Sequence, residues 1–523
     1  MDAPKRNRLL ELIAFPLAAL AAAAYLQLGT ARVYDFDGLW HLAQARVYLA
    51  FGPWYGQFPW LTTSAAGATG ADDWYGFHLL LVPFTLISDP VLCVRVTGVC
   101  LTFGALLLLW WALRLLHTRA AWLWPFVIAL GSTAAAPRYA MIRPQTLSNV
   151  LPLLILPLLL VGAPWQAALV GFFFTWIHFN VFWMLLVVAG VLVGVHLGLT
   201  RRLEWRRPLA MLGGMAVGWL VRPHPLDAAR LVWLQTFGPT VARAHGVVLD
   251  QPGEMLGMNL HDARSYLAVV LPLWLAFTLL WLGLAARKRW RLAEPRRTWL
   301  WTSFALAVLF LGLARVAFRA TDQWAAFGFA FAALAVTALV ERPRVAALLA
   351  RRPALRIGLP ALALVLVGLL SVANIRSSQA TNDSFMPEMT RMRGAGEYLL
   401  HAGRPGTVVF SPHWDYFPEL FFWDAQHRYV GGIAPILQYA YSPRLYWEIT
   451  HLGEGDGSFT CGEQRCTPGN LEDGYTVLRR DFHATYLILS QARDRRLVAH
   501  ARADRRYRVR YEDLNFVVFE LGG

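Results

Sequence analysis

Charged residues are scarce in this chain of 523 residues. They make up 15% of the sequence, whereas ordinary soluble domains carry about a quarter. Apolar residues make up 57%, with 23 Trp and 30 Phe among the aromatic ones. This composition excludes a soluble enzyme and a disordered protein, and it points to a chain that lies in a membrane.

Cysteine is also rare, since four in 523 residues do not make a disulfide framework. Cys93 and Cys100 lie in an apolar segment, whereas Cys461 and Cys466 flank a turn in the polar tail. We expect a local disulfide between the latter two if the tail lies in an oxidising compartment, with free thiols as the alternative. A zinc site would need more ligands than this neighbourhood offers.

Long apolar runs fill the first 373 residues and predict about eleven transmembrane helices. The predicted spans are roughly 9–29, 92–113, 120–136, 146–162, 164–178, 181–199, 208–221, 266–286, 298–315, 323–340 and 357–373. The first run resembles a signal peptide, but its length and the lack of a clear cleavage site favour a membrane helix.

The net charge of +15 suggests nucleic-acid binding at first sight, but its distribution indicates membrane topology instead. With the N-terminus inside, the predicted inner segments are 1–8, 114–119, 162–165, 200–207, 286–297 and 341–356. They hold 20 Lys and Arg in 54 residues, and the short outer segments hold 10 in 127. This asymmetry is what the positive-inside rule expects. We therefore predict no nucleic-acid partner, a cytoplasmic N-terminus and a tail outside the membrane, with a bacterial inner membrane as the expected location.

Three sizeable segments then lie outside: a first outer loop (30–91), a middle outer loop (222–265) and the tail. The apolar stretch 74–88 is interrupted by His78 and Pro83, and we expect it to lie flat at the outer surface, because a further span would invert every later loop. The predicted domains are a transmembrane domain (1–373) and an extracytoplasmic domain (374–523).

The tail reads as a mixed α/β domain. Residues 385–401 have a helical pattern. Apolar β-branched and aromatic residues predict strands at 406–410, 427–432 and 484–489 and a pair of strands within 507–521.

Two carboxylates and an imidazole stand just outside the first helix, in the sequence D-F-D-G-L-W-H. Asp37 and His41 are four residues apart and would share one face of a helix. Asp37, or Asp35, could act as the general base that deprotonates an acceptor hydroxyl, and both could hold a divalent cation. The alternative is that Asp37 caps the helix and His41 is a surface residue.

The same loop holds two further candidates. Asp72 and Asp73 would cap the 74–88 helix, or would complete a metal or donor site with His78. Trp54, in an aromatic run at 54–60, could stack on a sugar ring or anchor the chain at the membrane interface.

A first outer loop that opens with Asp-x-Asp after an N-terminal helix resembles the GT-C superfamily of polytopic membrane glycosyltransferases. A second point of resemblance is Trp414-Asp415-Tyr416 in the tail, which is similar to the W-W-D-Y-G motif of the oligosaccharyltransferase catalytic subunit. The protein mannosyltransferase group is a further distant resemblance. His413 and Phe417 depart from that motif, which in the family contacts the acceptor peptide.

The resemblance implies a sugar donor on a polyprenyl phosphate or diphosphate, an inverting displacement at the anomeric carbon, and a glycan, lipid or protein acceptor. It also implies an active site between the first two outer loops and the tail, with acceptor or sugar contacts from Trp414, Asp415, Tyr416 and Trp54. The second outer loop, 137–146, has two Arg and no carboxylate. A metal held between the two loops is therefore not required, although Asp35 and Asp37 leave Mg²⁺ or Mn²⁺ as an option.

Arginine side chains on the outer side are the candidate phosphate ligands, because the guanidinium fork pairs with phosphate oxygens. These are Arg143, Arg222 and Arg315, with His41 as a further donor. Each Arg could instead extend to lipid headgroups. Two other classes of function stay open: a transporter or flippase for a lipid-linked or anionic solute, and a non-catalytic component of a surface-polysaccharide assembly.

Overall fold

The computed structural model of the protein describes residues 3–250, 253, 256–286 and 292–522. The predicted middle outer loop (222–265) and the predicted basic segment 286–297 lie partly outside the described residues. Helices hold 66% of the chain and strands 6%, with the strands in the C-terminal region. The mainly helical class and the C-terminal α/β region are thus confirmed.

The chain divides into two compact units, and each is discontinuous in sequence. The helical unit comprises Met1–Tyr34, Arg95–Trp219 and Pro252–Met386. The mixed unit comprises Asp35–Val94, Leu220–Gln251 and Pro387–Gly523. Most of the first outer loop and part of the middle one therefore group with the tail. The boundary predicted at 373 lies inside one continuous helix, Pro353–Phe385.

The helical unit contains helices of very different lengths. Within its described residues they are Ala3–Leu28, Pro90–Leu115 (which begins in the mixed unit), Trp124–Leu130, Ala135–Ala140, Gln145–Ser148, Leu151–Leu158, Pro164–Ile177, Trp183–Thr200, Arg206–Leu220, Leu260–Leu267, Val270–Ala286, Arg296–Leu313, Ala320–Val340, Pro343–Arg351 and Pro353–Phe385, with a 3₁₀ turn at Phe179–Val181.

Five of the described segments are long and apolar enough to cross a bilayer. They are Glu11–Leu28, Pro90–Leu115, Phe179–Thr200, Ala320–Val340 and Pro353–Phe385. Pro353–Phe385 exposes most of its apolar side chains, such as Leu366 and Leu369, and an exposed apolar surface of this kind suits lipid. The predicted count of eleven spans is not reached by this measure, because the other predicted spans form shorter or less apolar helices.

Glycine allows two helices of this unit, Pro164–Ile177 and Arg206–Leu220, to approach backbone to backbone. A Cβ added to Gly214 would lie 1.8 Å from the carbonyl oxygen of Ala168, and one added to Gly171 would lie 2.3 Å from that of Met211. Small residues at such contacts are what membrane helices use to pack closely.

The mixed unit has helices from all three of its segments. In its described part they are Asp37–Phe51, Ala65–Thr69, Tyr75–Leu81, Pro225–Ala244, Arg393–Ala402, Phe417–Trp423, Pro435–Tyr441, Pro443–Glu454, Gly474–Arg480 and Arg495–Ala503, with 3₁₀ turns at Val82–Leu86 and Trp414–Tyr416. The helix predicted at 385–401 begins only at Arg393, because the preceding residues form turns after Phe385.

The strands of the mixed unit are β1 (Val408–Phe410), β2 (Arg428–Tyr429), β3 (Phe459–Thr460), β4 (Glu472–Asp473), β5 (Ala484–Ser490), β6 (Tyr507–Glu512) and β7 (Phe516–Leu521). A five-stranded sheet has the order β2-β1-β5-β7-β6. The pairs β1–β2 and β1–β5 are parallel, and β5–β7 and β6–β7 are antiparallel. Leu487, Leu489, Val517 and Phe519 form its buried core.

The first outer loop joins this sheet at the β2 edge. Leu61 forms a parallel bridge with Tyr429, whose backbone N–H donates to the carbonyl of Trp60 at 2.6 Å and whose carbonyl accepts from Thr62 at 2.9 Å. The Trp60 indole N–H also donates to the carbonyl of Ala425 at 2.7 Å. Residues from the first outer loop and the tail thus share one hydrogen-bond network.

Candidate functional site

A chain of hydrogen bonds links three buried side chains of the first outer loop. Nδ1 of His78 lies 2.6 Å from Oδ2 of Asp72, and Nε2 of His78 lies 2.7 Å from Nδ1 of His41. Tyr48 donates its hydroxyl to the same Asp72 oxygen at 2.8 Å. His78 is fully buried and His41 is 2% exposed. The alternative that His41 is a surface residue is therefore wrong.

Two short-range patterns place these groups together. His41 and Tyr48 lie on one helix, Asp37–Phe51, whose interior positions are almost all buried. The Asp72 side chain accepts the Trp74 backbone N–H at 2.9 Å, and the helix Tyr75–Leu81 then carries His78 back towards Asp72. Asp72 stabilises the turn before this helix but does not cap it, because the N-cap is Trp74 and no side chain caps it. A metal or donor site formed by Asp72 and His78 stays a prediction.

Opposed electrostatic effects act on Asp72. Burial raises the pKa of its carboxyl, but the charge of His78 and the hydrogen bonds from His78, Tyr48 and the Trp74 amide lower it by more, so the pKa lies below 3.8. Burial and the neighbouring Asp72 raise the pKa of the Tyr48 hydroxyl well above 10. Near neutral pH Asp72 is therefore an ionised carboxylate, and it accepts hydrogen bonds from the Tyr48 hydroxyl and the His78 imidazole.

This arrangement couples the state of His41 to one proton. When His78 carries one proton, on Nδ1, its Nε2 accepts from Nδ1 of His41, and Nε2 of His41 carries no hydrogen. When His78 carries two protons, its Nε2 donates to Nδ1 of His41, and Nε2 of His41 carries the hydrogen. One proton thus converts Nε2 of His41 from an acceptor into a donor.

The Asp-Phe-Asp motif lies at the start of the same helix. Asp37 is the first helical residue, one turn before His41, and Asp35 and Asp37 are both partly exposed. An anion at this position is favoured by the helix dipole. The position agrees with the predicted shared face of Asp37 and His41, while a catalytic role for either carboxylate stays a prediction.

Arg391 brings this motif and the tail motif together. Its guanidinium carbon lies 5.0 Å from the ring centroid of Phe36 and 5.7 Å from that of Tyr416. Nε of Arg391 also donates to both carboxylate oxygens of Glu419, at 3.0 Å each. Phe36, which lies between Asp35 and Asp37, therefore contacts the same Arg391 guanidinium as Tyr416 of the tail motif. No local pattern in the sequence indicates Arg391, because its partners are distant along the chain.

The tail motif is built into the mixed unit by its own side chains. The Trp414 indole N–H donates to Asp250 at 2.9 Å, and Asp415 receives two hydrogen bonds from Arg493 at 3.0 and 2.8 Å. Tyr416 is 1% exposed. Trp414 and Asp415 are half-buried, so contacts of these two with an acceptor stay a prediction, whereas buried Tyr416 would act by support.

Arg222, predicted as a phosphate ligand, is 2% exposed and donates to the carbonyl of Asp72 at 3.1 Å. Burial lowers the pKa of its guanidinium to about 10, and nearby Asp72 and Asp73 limit that fall. In this structure Arg222 thus stabilises the acidic turn of the first outer loop.

Arg143 and Arg315 belong to the helical unit. Arg315 is exposed and donates to the carbonyl of Met258 at 3.0 Å, and Arg143 is half-buried after the helix Ala135–Ala140. Trp54 is 64% exposed in the mixed unit, so its side chain is accessible for stacking or for an interface.

A buried ion pair in the helical unit was not predicted. Nε of Arg138 donates to Oδ2 of Asp322 at 3.1 Å, and both residues are 8% exposed. Asn149 donates to the same oxygen at 3.3 Å and accepts from Gln323 at 2.9 Å. The two charges are 184 positions apart, so the sequence offers no local signal beyond the rarity of a carboxylate beside an apolar run.

Cys461 and Cys466 form a disulfide with a Cα–Cα distance of 5.7 Å, and this is the expected pair. Together with His451 they are the described residues whose metal-ligand atoms cluster within 4.8 Å. The two sulfurs are bonded to each other, so they are not thiolate ligands in this state. Asp35 and Asp37 belong to no such cluster in the part of the chain that the structure describes.

Comparison with known protein families and with curated proteins found no match. The fold and the site define a mainly helical protein with five helices long and apolar enough to cross a membrane, a C-terminal α/β region, and a buried polar cluster in its first outer loop.

Proposed function

We propose that the chain is a membrane glycosyltransferase of GT-C type, which transfers a sugar from a polyprenyl phosphate or diphosphate donor on the outer side of a bacterial inner membrane. The observation that carries the proposal is the Asp72–His78–His41 chain, one helical turn from Asp37. A buried carboxylate linked to two imidazoles beside an acidic motif is the kind of titratable cluster that often marks a functional site, and proton transfer is the role assigned to it in this proposal.

The proposed reaction is a single displacement with inversion. The acceptor oxygen forms a bond to the anomeric carbon, the bond from that carbon to the phosphate oxygen breaks, and the acceptor proton passes to Asp37, or to Asp35. When His78 carries two protons, neutral His41 holds its hydrogen on Nε2 and would donate it towards an anionic oxygen. A positioned base contributes about 10²- to 10⁴-fold, and charge stabilisation is often the largest contribution.

The other residues proposed to contact the donor and the acceptor are those predicted from the sequence. Arg143 and Arg315 would bind the departing phosphate, and Trp414, Asp415 and Trp54 would contact the acceptor or the sugar. The proposed reaction does not require a metal. In an alternative form of the proposal, Asp35 and Asp37 bind Mg²⁺ or Mn²⁺. The five apolar helices support membrane residence, and the disulfide supports a tail in an oxidising compartment, in line with eleven spans.

A transfer assay in membranes tests the proposal. Extracted polyprenyl-linked sugars are supplied to wild type, Asp37→Asn, Asp35→Asn and His41→Asn, with Asp89→Asn as the matched control. Asp89 is an exposed carboxylate of the same segment, and it caps the Leu92 amide at 2.7 Å, which Asn can also do. We expect a loss of at least about 10²-fold in one of the two Asp variants and none in the control.

Two results would overturn the proposal. Undiminished transfer in both folded Asp variants removes the acidic motif from the mechanism. No transfer by wild type across a broad set of donors rejects the proposal that the protein is an enzyme. If transfer occurs, its product identifies the donor and the acceptor.

One observation favours a transporter as the second candidate. Ionisable groups buried in a membrane protein often mark an ion or solute pathway, and Arg138 with Asp322 is such a pair. A flux measurement on vesicles separates the two: a transporter loses flux in Asp322→Asn, whereas the glycosyltransferase loses transfer in the Asp37 or Asp35 variant.

A further inference from the structure

A short basic helix connects two of the five helices that are long and apolar enough to cross a bilayer. Ala320–Val340 ends just before it, and Pro353–Phe385 begins just after it. The connecting helix, Pro343–Arg351, has 9 residues. A connector between two membrane spans lies at the membrane surface, where the chain leaves the bilayer and enters it again.

The connecting helix is amphipathic and does not bury its apolar face. Val345, Leu348 and Leu349 follow the i, i+3, i+4 spacing of one helix face. Among the described residues of this helix none is buried, and Leu348 is 47% exposed. The protein itself therefore leaves this face open.

A second helix of the same length shows how such a face is covered elsewhere in the chain. The helix Arg495–Ala503 also has 9 residues. Its apolar side chains Leu497, Val498 and Ala501 belong to the buried core of the mixed unit. An apolar face that packs on no protein, next to two membrane spans, instead suits the acyl chains of lipid.

Four exposed arginine side chains accompany the open face, and in the described part of the chain none of them forms an ion pair or a side-chain hydrogen bond. They are Arg344, Arg351, Arg352 and Arg356. The segment 341–356 has one carboxylate, Glu341. Glu341 pairs with Arg119 at 3.6 Å and with Arg296 at 2.5 Å. The positive charge of the four arginines is thus not compensated by this carboxylate.

Two of these arginines border the apolar face itself. Arg344 and Arg351 are seven positions apart, so they lie two turns apart along one edge of the face. From the edge of an interfacial helix, guanidinium groups reach headgroup phosphates while apolar side chains enter the acyl layer. A zwitterionic headgroup carries its own cation beside the phosphate, so a lipid with net negative charge is the better partner.

We propose that the helix Pro343–Arg351 is a docking surface for anionic lipid. Its apolar face lies towards the acyl chains, and Arg344 and Arg351 bind the phosphates of anionic headgroups such as phosphatidylglycerol. Lipid thus supplies the cover that the protein does not. The inference is independent of the proposed glycosyltransferase activity.

Spin labels on the full chain in lipid nanodiscs test the orientation of the helix. In a background with Cys93 and Cys100 replaced by Ser, Leu348→Cys carries a label on the apolar face. Ala350→Cys carries a label on the opposite face, about 200° away around the helix. Power saturation compares collisions with oxygen, which dissolves in the bilayer, and with a nickel chelate, which stays in water. We expect oxygen to dominate at Leu348→Cys and nickel to dominate at Ala350→Cys.

Discs of phosphatidylcholine alone, and of equal parts of phosphatidylcholine and phosphatidylglycerol, test the dependence on charge. Arg344→Gln with Arg351→Gln removes the two cations at the edge of the face. Arg495→Gln with Arg496→Gln is the matched control, because it removes the same charge from two exposed residues of a helix whose apolar face is buried in protein.

We expect closer docking of the Leu348→Cys label in the discs that contain phosphatidylglycerol. One arginine near an anionic surface contributes about 5-fold. The ratio of docked to undocked helix in these discs should therefore fall by about 10- to 30-fold in the variant without Arg344 and Arg351, and it should not change in the control.

Three kinds of result would overturn the inference. Nickel-dominated collisions at both labelled positions would place the helix in water. A label at Leu348→Cys that is shielded from both reagents would mean that protein covers the face. Equal docking in the two kinds of disc, or an equal loss in the control variant, would remove anionic headgroups as the partner.

Discussion

At the scale of single residues, Arg391 connects two sequence motifs that are nearly 380 positions apart. Its guanidinium holds both oxygens of Glu419, which is fully buried, and lies over the rings of Phe36 and Tyr416. Since Glu419 follows Tyr416 in the chain and Phe36 separates the two candidate carboxylates, the position of the Asp-Phe-Asp motif depends on this ion pair.

Removal of Arg391 should therefore destabilise the mixed unit strongly. Arg391→Leu leaves a buried carboxyl without its cation, and breaking a buried pair in this way costs about 3–5 kcal/mol. We expect a clear fall in the thermal unfolding midpoint of the protein in nanodiscs at pH 8. The double variant Arg391→Leu with Glu419→Gln should recover part of the loss, because the amide needs no cation; a double variant no more stable than Arg391→Leu would argue against the ion pair.

The titration of Glu419 predicts a pH dependence of stability. Burial raises the pKa of this carboxyl to about 7 in spite of the hydrogen bonds and charge of Arg391, from 4.5 in the unfolded chain. Between these values the folded protein binds more protons than the unfolded one, so this group makes the protein less stable as the pH rises. The unfolding midpoint of wild type minus that of Glu419→Gln should fall from pH 4.5 to 7 and change little above. A difference that is constant or rises across this window would refute the assignment.

At the scale of elements, local sequence patterns predicted those strands whose positions depend on short-range interactions. The strands β1, β6 and β7 lie within the predicted segments, and β5 extends one residue past its segment, to Ser490, because alternating apolar side chains fix which residues enter a sheet. The segment predicted at 427–432 ends early, at Tyr429, because Gly431 and Gly432 turn the chain with φ of +73° and +145°. The apolar runs 120–136 and 146–162 became short helices, since hydropathy measures burial and not the continuity of backbone hydrogen bonds.

The candidate site was predictable only in part, because a local sequence pattern relates residues of one helix but not residues of distant segments. Asp37 and His41 share a helix, so their spacing alone related them. His41 meets His78 across 37 positions, and Arg391 meets Phe36 across far more, so these contacts depend on how elements pack. Sequence periodicity carries no information about that packing.

One short helix of the mixed unit ends at a glycine that allows a close approach of two backbone segments. Gly70 ends the helix Ala65–Thr69 in the left-handed region, with φ of +65°, and a Cβ there would lie 2.2 Å from the carbonyl oxygen of Gly56. Gly406 has a similar φ of +77° but open space around it. Gly406→Ala should cost about 1–2 kcal/mol, the price of this backbone region for an L-residue.

Gly70→Ala should cost more than Gly406→Ala, because the added Cβ at Gly70 would also meet the Gly56 carbonyl oxygen. Thermal unfolding of both variants measures the difference. Equal losses of stability would show that the backbone at Gly70 relaxes and that the close approach to Gly56 is not a constraint.

At the scale of the whole molecule, the parity of the membrane spans decides which compartment the tail faces. Five described helices are long enough to cross, and charge asymmetry argues for eleven spans. Eleven is an odd number, so that topology would put the tail opposite the N-terminus. The disulfide between Cys461 and Cys466 also requires a compartment that allows oxidation.

Labelling of single cysteines tests this placement in intact cells. In a background with Cys93 and Cys100 replaced by Ser, Gly469→Cys places a thiol in the tail, where a side chain meets open space. Arg202→Cys places one on an exposed residue of the predicted inner segment 200–207. A membrane-impermeant maleimide should label Gly469→Cys at once and Arg202→Cys only after lysis. The reverse pattern would place the tail in the cytoplasm, where the disulfide between Cys461 and Cys466 would be reduced. The proposed polyprenyl-linked donor would then have to be used on the inner leaflet.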